Sequence, residues 1–386
     1  MSVSLPELLA GGRFYADKSA FIAGFLDQKT GRPLLARPSG FGKSLWLDLL
    51  EGYWLRNRKL FRGLSFQELP AQAHPVLRLD LGREDLAYAD PYGLEFRLYE
   101  EIRLAAGKYQ IPLKALTPAR LQGLEAVLSA LEAAVTVLSA QTGLKPVILL
   151  DRSDAPAAGA ILDPVLFAAV QVSLHFFLEG LSELAENRSL EMVFLTSETS
   201  FLLPLGRQPA DPAASRLLEN IGGLTEEEVR TWLKTESTRP PTTSPPPGKK
   251  RPPLKKPDVL LEEIRAFGGG WFFGSSREFF SPALTAAFLE TGRPAPGRLP
   301  EAGFGLAETL TGRDPDQYLD FRPGPAGPEV LENSRPFSPS PQLLFLETGF
   351  LTAVQKDGQT DFRFPNQTAG QFFQKMQDNV RRKLKA

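Results

Sequence analysis

Residues 36–44 read Ala-Arg-Pro-Ser-Gly-Phe-Gly-Lys-Ser, and the closing Gly-Lys-Ser is the combination of types that grips a phosphate. Backbone N–H groups of such a loop converge on the anion, and a helix that follows adds its positive end. Gly40 and Gly42 bracket Phe41 and supply positive φ or close backbone approach. Lys43 is placed to reach the β- and γ-phosphates, and the Ser44 hydroxyl to coordinate Mg2+. The opening glycine of G-x-x-x-x-G-K-[ST] would fall at position 37, where this chain has Arg37. The plain alternative is a strand-to-helix turn with a capping serine.

Phosphate chemistry needs a second component, a carboxylate to hold the metal. Asp151 follows the apolar run "PVILL" and is expected at the carboxyl edge of a sheet; the alternative is a turn or capping aspartate. The next residue is Arg152, whose guanidinium cannot act as a general base. It could pair with Asp151 or with phosphate, and either favours binding over hydrolysis. Thr196 ends another apolar run, "MVFLT", where a hydroxyl can sense a γ-phosphate or position water. Glu198 is the nearest candidate in sequence to replace the missing carboxylate; a solvated loop charge is the alternative.

The elements that must position these residues follow from patterning. "PLLA" (33–36), "VLRLD" (76–80), "PVILLD" (146–151) and "MVFLT" (192–196) are short apolar runs bounded by turn formers or polar residues. They alternate with helical patterns, which predicts a parallel α/β sheet. Trp46, Leu49, Leu50 and Tyr53 recur at helical spacing, so a helix starts at the loop. A second helix is expected over 121–139, and 161–181 reads as a buried helix, short of the roughly 20 clean apolar residues of a membrane span. Thr225 with Glu228 forms a capping box at the start of "GLTEEEVRTWL".

Composition narrows the chemistry. The chain has 386 residues, enough for two or three domains, and a net charge of -1 that provides no global pull toward nucleic acid or an anionic membrane. It has no cysteine, which excludes disulfides, thiolate metal sites and cysteine nucleophiles. His74 and His175 are too far apart in sequence to suggest a histidine metal centre. The first residues lack a basic start and an apolar core, so no signal peptide is expected and the expected location is cytoplasmic. Residues 238–258 carry eight prolines and six Lys or Arg and predict an extended linker. The expected division is thus 1–237, the linker 238–258, and a second region 259–386. Within that region, "LLFLETGFLTAVQKDGQTDFRFPN" (343–366) reads as a helix end, a turn at Gly349 and a hairpin about Asp357-Gly358, like the last helix and wing of a winged-helix module.

With these pieces in place, the chain resembles the AAA-ATPase-like family of prokaryotic P-loop proteins, whose members often carry a C-terminal nuclease of the PD-(D/E)XK superfamily. The likeness runs in order through "FYADKSAFI" (14–22), "ARPSGFGKSLWLDLLEGYW" (36–54), "PVLRLDL" (75–81), "PVILLDRSDAP" (146–156), "MVFLTSETSF" (192–201), "GLTEEEV" (223–229) and "LLFLETGFLTAV" with "FRFPN". The resemblance implies an α/β P-loop NTPase fold, a parallel sheet with helices on both faces, followed by a smaller helical lid and winged-helix-like region. It implies ATP and Mg2+ as ligands, with Arg37 as the family's own loop arginine. Lys43 and Asp151 then take their customary roles with Thr196 beside them, Ser44 and Asp151 hold the metal, and Arg37, Pro38, Ser39, Gly40, Phe41, Gly42, Lys43 and Ser44 surround the phosphates. Tyr15, Asp17 and Lys18 would lie near the nucleotide or its loop. The family's Asp-Glu-Tyr-Asp is here Asp151-Arg152-Ser153-Asp154, so turnover is expected to be slow or lost. About 20 residues follow "FRFPN", so the nuclease is expected to be absent.

These features support an ATP-binding switch with weak hydrolysis. The alternative is a scaffold that keeps the fold without turnover. A protein partner or a nuclease acting in trans fits either reading, and no membrane is expected. A nucleic-acid adaptor would use Lys249, Lys250, Arg251, Lys255, Lys256, Arg381, Arg382 and Lys383, although no aromatic residue accompanies them in the linker or in "QDNVRRKLKA".

Overall fold

The short apolar runs become four parallel strands, β1 (Leu34–Ala36), β2 (Val76–Asp80), β3 (Val147–Asp151) and β4 (Met192–Ser197), in the order β1-β4-β3-β2. The computed structural model of the protein describes residues 4–27, 33–82, 93–112, 116, 123–204, 218–238, 256–273, 277–291, 301–327, 329–332, 335–356 and 359–385. Most of the proline-rich segment 238–258 and the Asp357-Gly358 turn therefore lie outside the described residues.

Strand geometry sends successive side chains to opposite faces, and the two faces have separate cores. Val76, Val147, Leu149 and Phe194 pack on one face with Trp46, Leu49, Leu50 and Tyr53 of α3 (Lys43–Trp54). This face also receives α1 (Leu5–Ala10) and α2 (Phe21–Asp27). Leu77, Leu79, Ile148, Leu150, Val193 and Leu195 pack on the other. That face is covered by α5 (Gly93–Gly107), α6 (Gly123–Thr142) and α8 (Pro164–Glu186), beside the short α7 (Ala155–Ala160); α4 (Arg58–Phe61) lies after α3. Both faces carry helices, as the α/β reading requires.

The helix expected over 161–181 starts later and is one-sided. Asp163 caps it, accepting from Val165 N at 2.9 Å and Leu166 N at 3.0 Å, with Pro164 in its first turn. Phe167, Val170, Leu174, Phe177 and Leu181 are buried, whereas Val165, Val172 and Phe176 are more than half exposed. By length and composition both α6 and α8 could cross a membrane, yet each lays a face into the sheet's core.

Beyond the sheet come α9 (Glu226–Thr238), α10 (Pro257–Gly268), α11 (Pro282–Thr291), α12 (Glu301–Arg313), α13 (Pro315–Tyr318), α14 (Glu329–Glu332), α15 (Pro341–Glu347) and α16 (Gln367–Lys385). The expected capping box is present: Glu228 N donates to Thr225 Oγ1 and Thr225 N to Glu228 Oε2. The hairpin is present as β6 (Thr352–Lys356) and β7 (Gln359–Arg363), antiparallel, with the short β5 (Pro325–Ala326) on the other side of β7. Leu310, Tyr318, Phe345, Phe350, Phe362 and Phe373 from this region join the same apolar cluster as the sheet.

Gly349 ends α15 with φ +86, and a Cβ there would lie 2.9 Å from Pro38 Cβ of the glycine-rich loop. A Gly349→Ala protein is expected to lose about 2 kcal/mol of stability through left-handed strain and this contact. Urea unfolding of the two proteins checks the value.

Candidate functional site

The site forms at the carboxyl ends of the strands, where β1 runs into the loop and α3. Because residue parity sets the face, Asp151 and Thr196 share the α3 side with Leu149 and Phe194. The Ser44 hydroxyl, in the first turn of α3, donates to Asp151 Oδ2 at 3.1 Å, and Thr196 Oγ1 donates to Asp151 Oδ1 at 2.5 Å. Loop, acidic strand and middle strand thus meet on one buried carboxylate. Arg78 of β2 sits at the rim, with Nη2 3.8 Å from Asp151 Oδ2, and is also held by Asp48 and Glu51 of α3.

Lys43 is buried, and its Nζ donates to Arg37 O at 2.7 Å and Pro38 O at 3.2 Å. Burial pulls the ammonium pKa down, opposed by Glu198, Asp154 and Asp151 in that order. Gly40 and Gly42 have φ +82 and +84, the left-handed region that the turn needs. Other donors fix the loop from outside: Ala283 N to Gly40 O at 3.2 Å and Gly223 N to Phe41 O at 3.1 Å. A trans peptide points its C=O and the next N–H in opposite directions. These two bonds therefore turn the N–H groups of Phe41 and Gly42 away from the clamp.

Arg37 turns its guanidinium toward a residue far along the chain. Its guanidinium stacks on Phe273, 4.1 Å from the ring centre, and donates to Ala36 O at 2.8 Å. Burial pulls its pKa down to about 10, partly opposed by Glu219, and the group stays charged near neutrality. Phe41 is equally committed, packed edge-on against Trp271 and Phe273. Arg37 and Phe41 therefore pin the loop to Trp271 and Phe273.

Arg152 departs most from expectation. It has φ +52, and its side chain turns to β2, where Nε and Nη2 donate to Asp80 Oδ1 and Oδ2 at 2.9 and 2.6 Å. It pairs with Asp80 rather than with Asp151. Gly82 makes room for it, since a Cβ there would lie 2.4 Å from the Arg152 Nε.

Four residues of this neighbourhood were missed in the sequence. Asp80 ends an apolar strand as Asp151 does, which was a usable signal. Asp154 is buried and accepts from Glu198 N at 3.1 Å, Thr199 N at 2.7 Å and Thr199 Oγ1 at 2.8 Å. It ties the end of β3 to the end of β4; burial pushes its pKa up against those bonds and Lys43. Arg78 and Glu347 gave no local signal. Glu347, at the end of α15, accepts from Ser200 N at 2.7 Å, Ser200 Oγ at 2.5 Å and Phe201 N at 3.2 Å, joining the hairpin region to the turn after β4.

Burial pushes the Glu347 carboxyl up, against the bonds from Ser200 and Phe201. A raised native pKa adds stability that is full in acid and is lost as pH rises through that pKa. Glu347→Gln cannot titrate. Its stability deficit relative to the wild type is therefore expected to shrink as pH rises from about 4 to 7, measured by urea unfolding at several pH values.

The N-terminal motif makes its hydrogen bonds with other elements than the loop. Asp17 accepts from Ser19 N at 2.9 Å and Ser65 N at 2.5 Å, and Lys18 Nζ binds both Glu228 oxygens at 2.6 and 2.8 Å. Tyr15 is packed on the α3-side core, and burial pushes its phenol pKa up. The trio braces the first residues against the turn before β2 and against α9. Neither histidine faces a cluster of ligands: His74 Nδ1 lies 2.9 Å from Lys145 O and His175 Nδ1 3.5 Å from Pro204 O. Of the basic residues at the C-terminus, Lys383 pairs with Glu308 at 2.8 Å and Arg381 with Asp320 at 3.3 Å. Lys256 precedes α10 as its N-cap residue, while Lys249, Lys250, Arg251 and Lys255 lie outside the described residues.

The donor set suits a phosphate and a hard cation. Lys43 and Ser44 follow directly on a left-handed glycine, and one carboxylate with one hydroxyl leaves a magnesium ion's remaining positions to water and phosphate oxygens. Among the described residues no group of three or more His, Cys, Asp or Glu could hold a metal by itself.

Comparison with known proteins identifies a family. The family model described as Predicted AAA-ATPase matches residues 3–203, just over half of the chain. A protein of Azotobacter chroococcum mcd 1, described as an uncharacterized protein in the vnfD 5′ region, is 41% identical over 71 residues, 18% of this chain and 14% of that one. The aligned part is thus less than a sixth of that relative's length. A chain from the "Structure of E. coli MS115-1 HORMA:CdnC:Trip13 complex" is similar at 17% identity, over 57% of this chain and 69% of that one, with a TM-score of 0.23.

Proposed function

Because the chain belongs to the predicted AAA-ATPase family, we propose that it binds ATP with Mg2+ and works as a nucleotide-dependent switch that hydrolyses ATP slowly. Family membership supports nucleotide and Mg2+ use in general. The finer reading rests on one observation, the convergence of Ser44 and Thr196 on the buried Asp151 carboxylate, beside a lysine rooted in the loop. In this reading Lys43 exchanges loop carbonyls for phosphate oxygens, and Ser44 and Asp151 hold the metal. Thr196 orients Asp151 and can sense the terminal phosphate. Arg37 acts as a pin, and Pro38, Ser39, Gly40, Phe41 and Gly42 shape the cradle.

Slow turnover follows from Arg152, which occupies the position after Asp151 and spends its guanidinium on Asp80. The switch is read out by residues 259–386, the lid and winged-helix-like region, through Glu347 and Gly349, which touch the turn after β4 and the loop. Calorimetric titration of the purified chain with ATP and Mg2+ is the direct test. No uptake of nucleotide would leave the scaffold reading standing instead.

A further inference from the structure

Strand order decides what lies between the loop and the acidic strand. β4 separates β1 from β3, so a residue just beyond the end of β4 is held between the glycine-rich loop and Asp151. That residue is Glu198. Its backbone N–H is fixed by the Asp154 carboxylate at 3.1 Å, and its own carboxylate lies near Ser39 of the loop, with Lys43 and Arg152 as charged neighbours. It lines a cavity of about 440 Å3 together with Arg152 and Asp154 and with Gly305, Leu306 and Thr309 of α12.

A carboxylate beside Asp151 is lacking because Arg152 stands there and is turned to Asp80. We propose that Glu198, delivered from β4, is the carboxylate that activates water in this chain, and that the cavity in front of it admits that water. The proposal rests on the nucleotide-binding reading above. Glu198 accepts the proton of a water whose oxygen forms the new bond to the terminal phosphorus. The bond from that phosphorus to the β-γ bridging oxygen breaks, the oxygen keeps the electron pair on ADP, and the proton passes from Glu198 to solvent. Burial raises the basicity of the carboxylate while Lys43 opposes it, and a stronger base is the more effective one.

The test uses the full chain and three readouts. Glu198→Gln is expected to reduce steady-state phosphate release about 100-fold. Its affinity for a non-hydrolysable ATP analogue should stay within about 2-fold of wild type, since glutamine keeps the size and shape of the side chain and Glu198 is not a phosphate ligand in this reading. The variant should also fail to trap ADP with aluminium fluoride, a complex that depends on an oriented water. Unchanged turnover in Glu198→Gln, or tighter nucleotide binding with unchanged turnover, overturns the proposal. So does wild-type nucleotide uptake without phosphate release above a Lys43→Ala control. Absence of uptake in the wild type instead strikes the nucleotide reading itself, which the calorimetry separates.

Discussion

Replacing Lys43 with alanine is expected to weaken ATP–Mg2+ binding at least about 100-fold, equivalent to roughly 3 kcal/mol. The side chain is buried at the base of the loop, where Nζ bonds the carbonyls of Arg37 and Pro38, and its charge faces Glu198, Asp154 and Asp151. Alanine removes the buried cation of this site and leaves two loop carbonyls without their donor. It also takes one positive charge from beside Glu198, Asp154 and Asp151, so an incoming triphosphate meets a more negative site. Affinity then falls for two reasons, the missing ligand and the added repulsion. Calorimetry of both proteins measures the loss, and thermal unfolding alongside shows whether the fold survives. Equal affinities would remove Lys43 from the binding machinery.

Asp154→Ala is expected to cost about 3 kcal/mol of folding stability, near the upper end for single substitutions. The carboxylate collects Glu198 N, Thr199 N and Thr199 Oγ1 in a buried place. Alanine leaves these donors without a partner, and water must enter or the turn after β4 must move. Asp154→Asn keeps an acceptor and should cost less than half as much. Urea unfolding measures both. Because the same turn presents Glu198 and is held by Glu347, the alanine variant should also lose the restraint between the sheet and the hairpin region.

Much of this arrangement was open to reading in the sequence for local reasons. Four apolar runs buried on both faces left little choice but parallel strands, and the parity of "PVILLD" already put Asp151 on the side of Leu149. Gly-Lys-Ser after a strand identified the loop. Strand order was hidden, because pairing between distant parallel strands leaves no local signature, and with it the place of Glu198. The destination of Arg37 was hidden too, since Phe273 lies more than two hundred residues away. Lys18 with Glu228 and Glu347 with Ser200 are separated by 210 and 147 positions. α8 was misjudged because an apolar composition does not distinguish a surrounded helix from one that offers Val165, Val172 and Phe176 to the outside.

The clamp on the glycine-rich loop bears on how the chain can be divided. Gly223, Ala283, Trp271 and Gly349 bond or press against Gly40, Phe41 and Pro38, and all four lie beyond the 3–203 stretch that carries the family likeness. A fragment cut at the edge of that stretch would keep every side chain proposed to bind phosphate and lose the contacts that hold the loop from outside. The recognisable segment and the set of residues that hold the loop are therefore different objects: recognition by pattern ends near residue 203, whereas the contacts on the loop reach to Gly349.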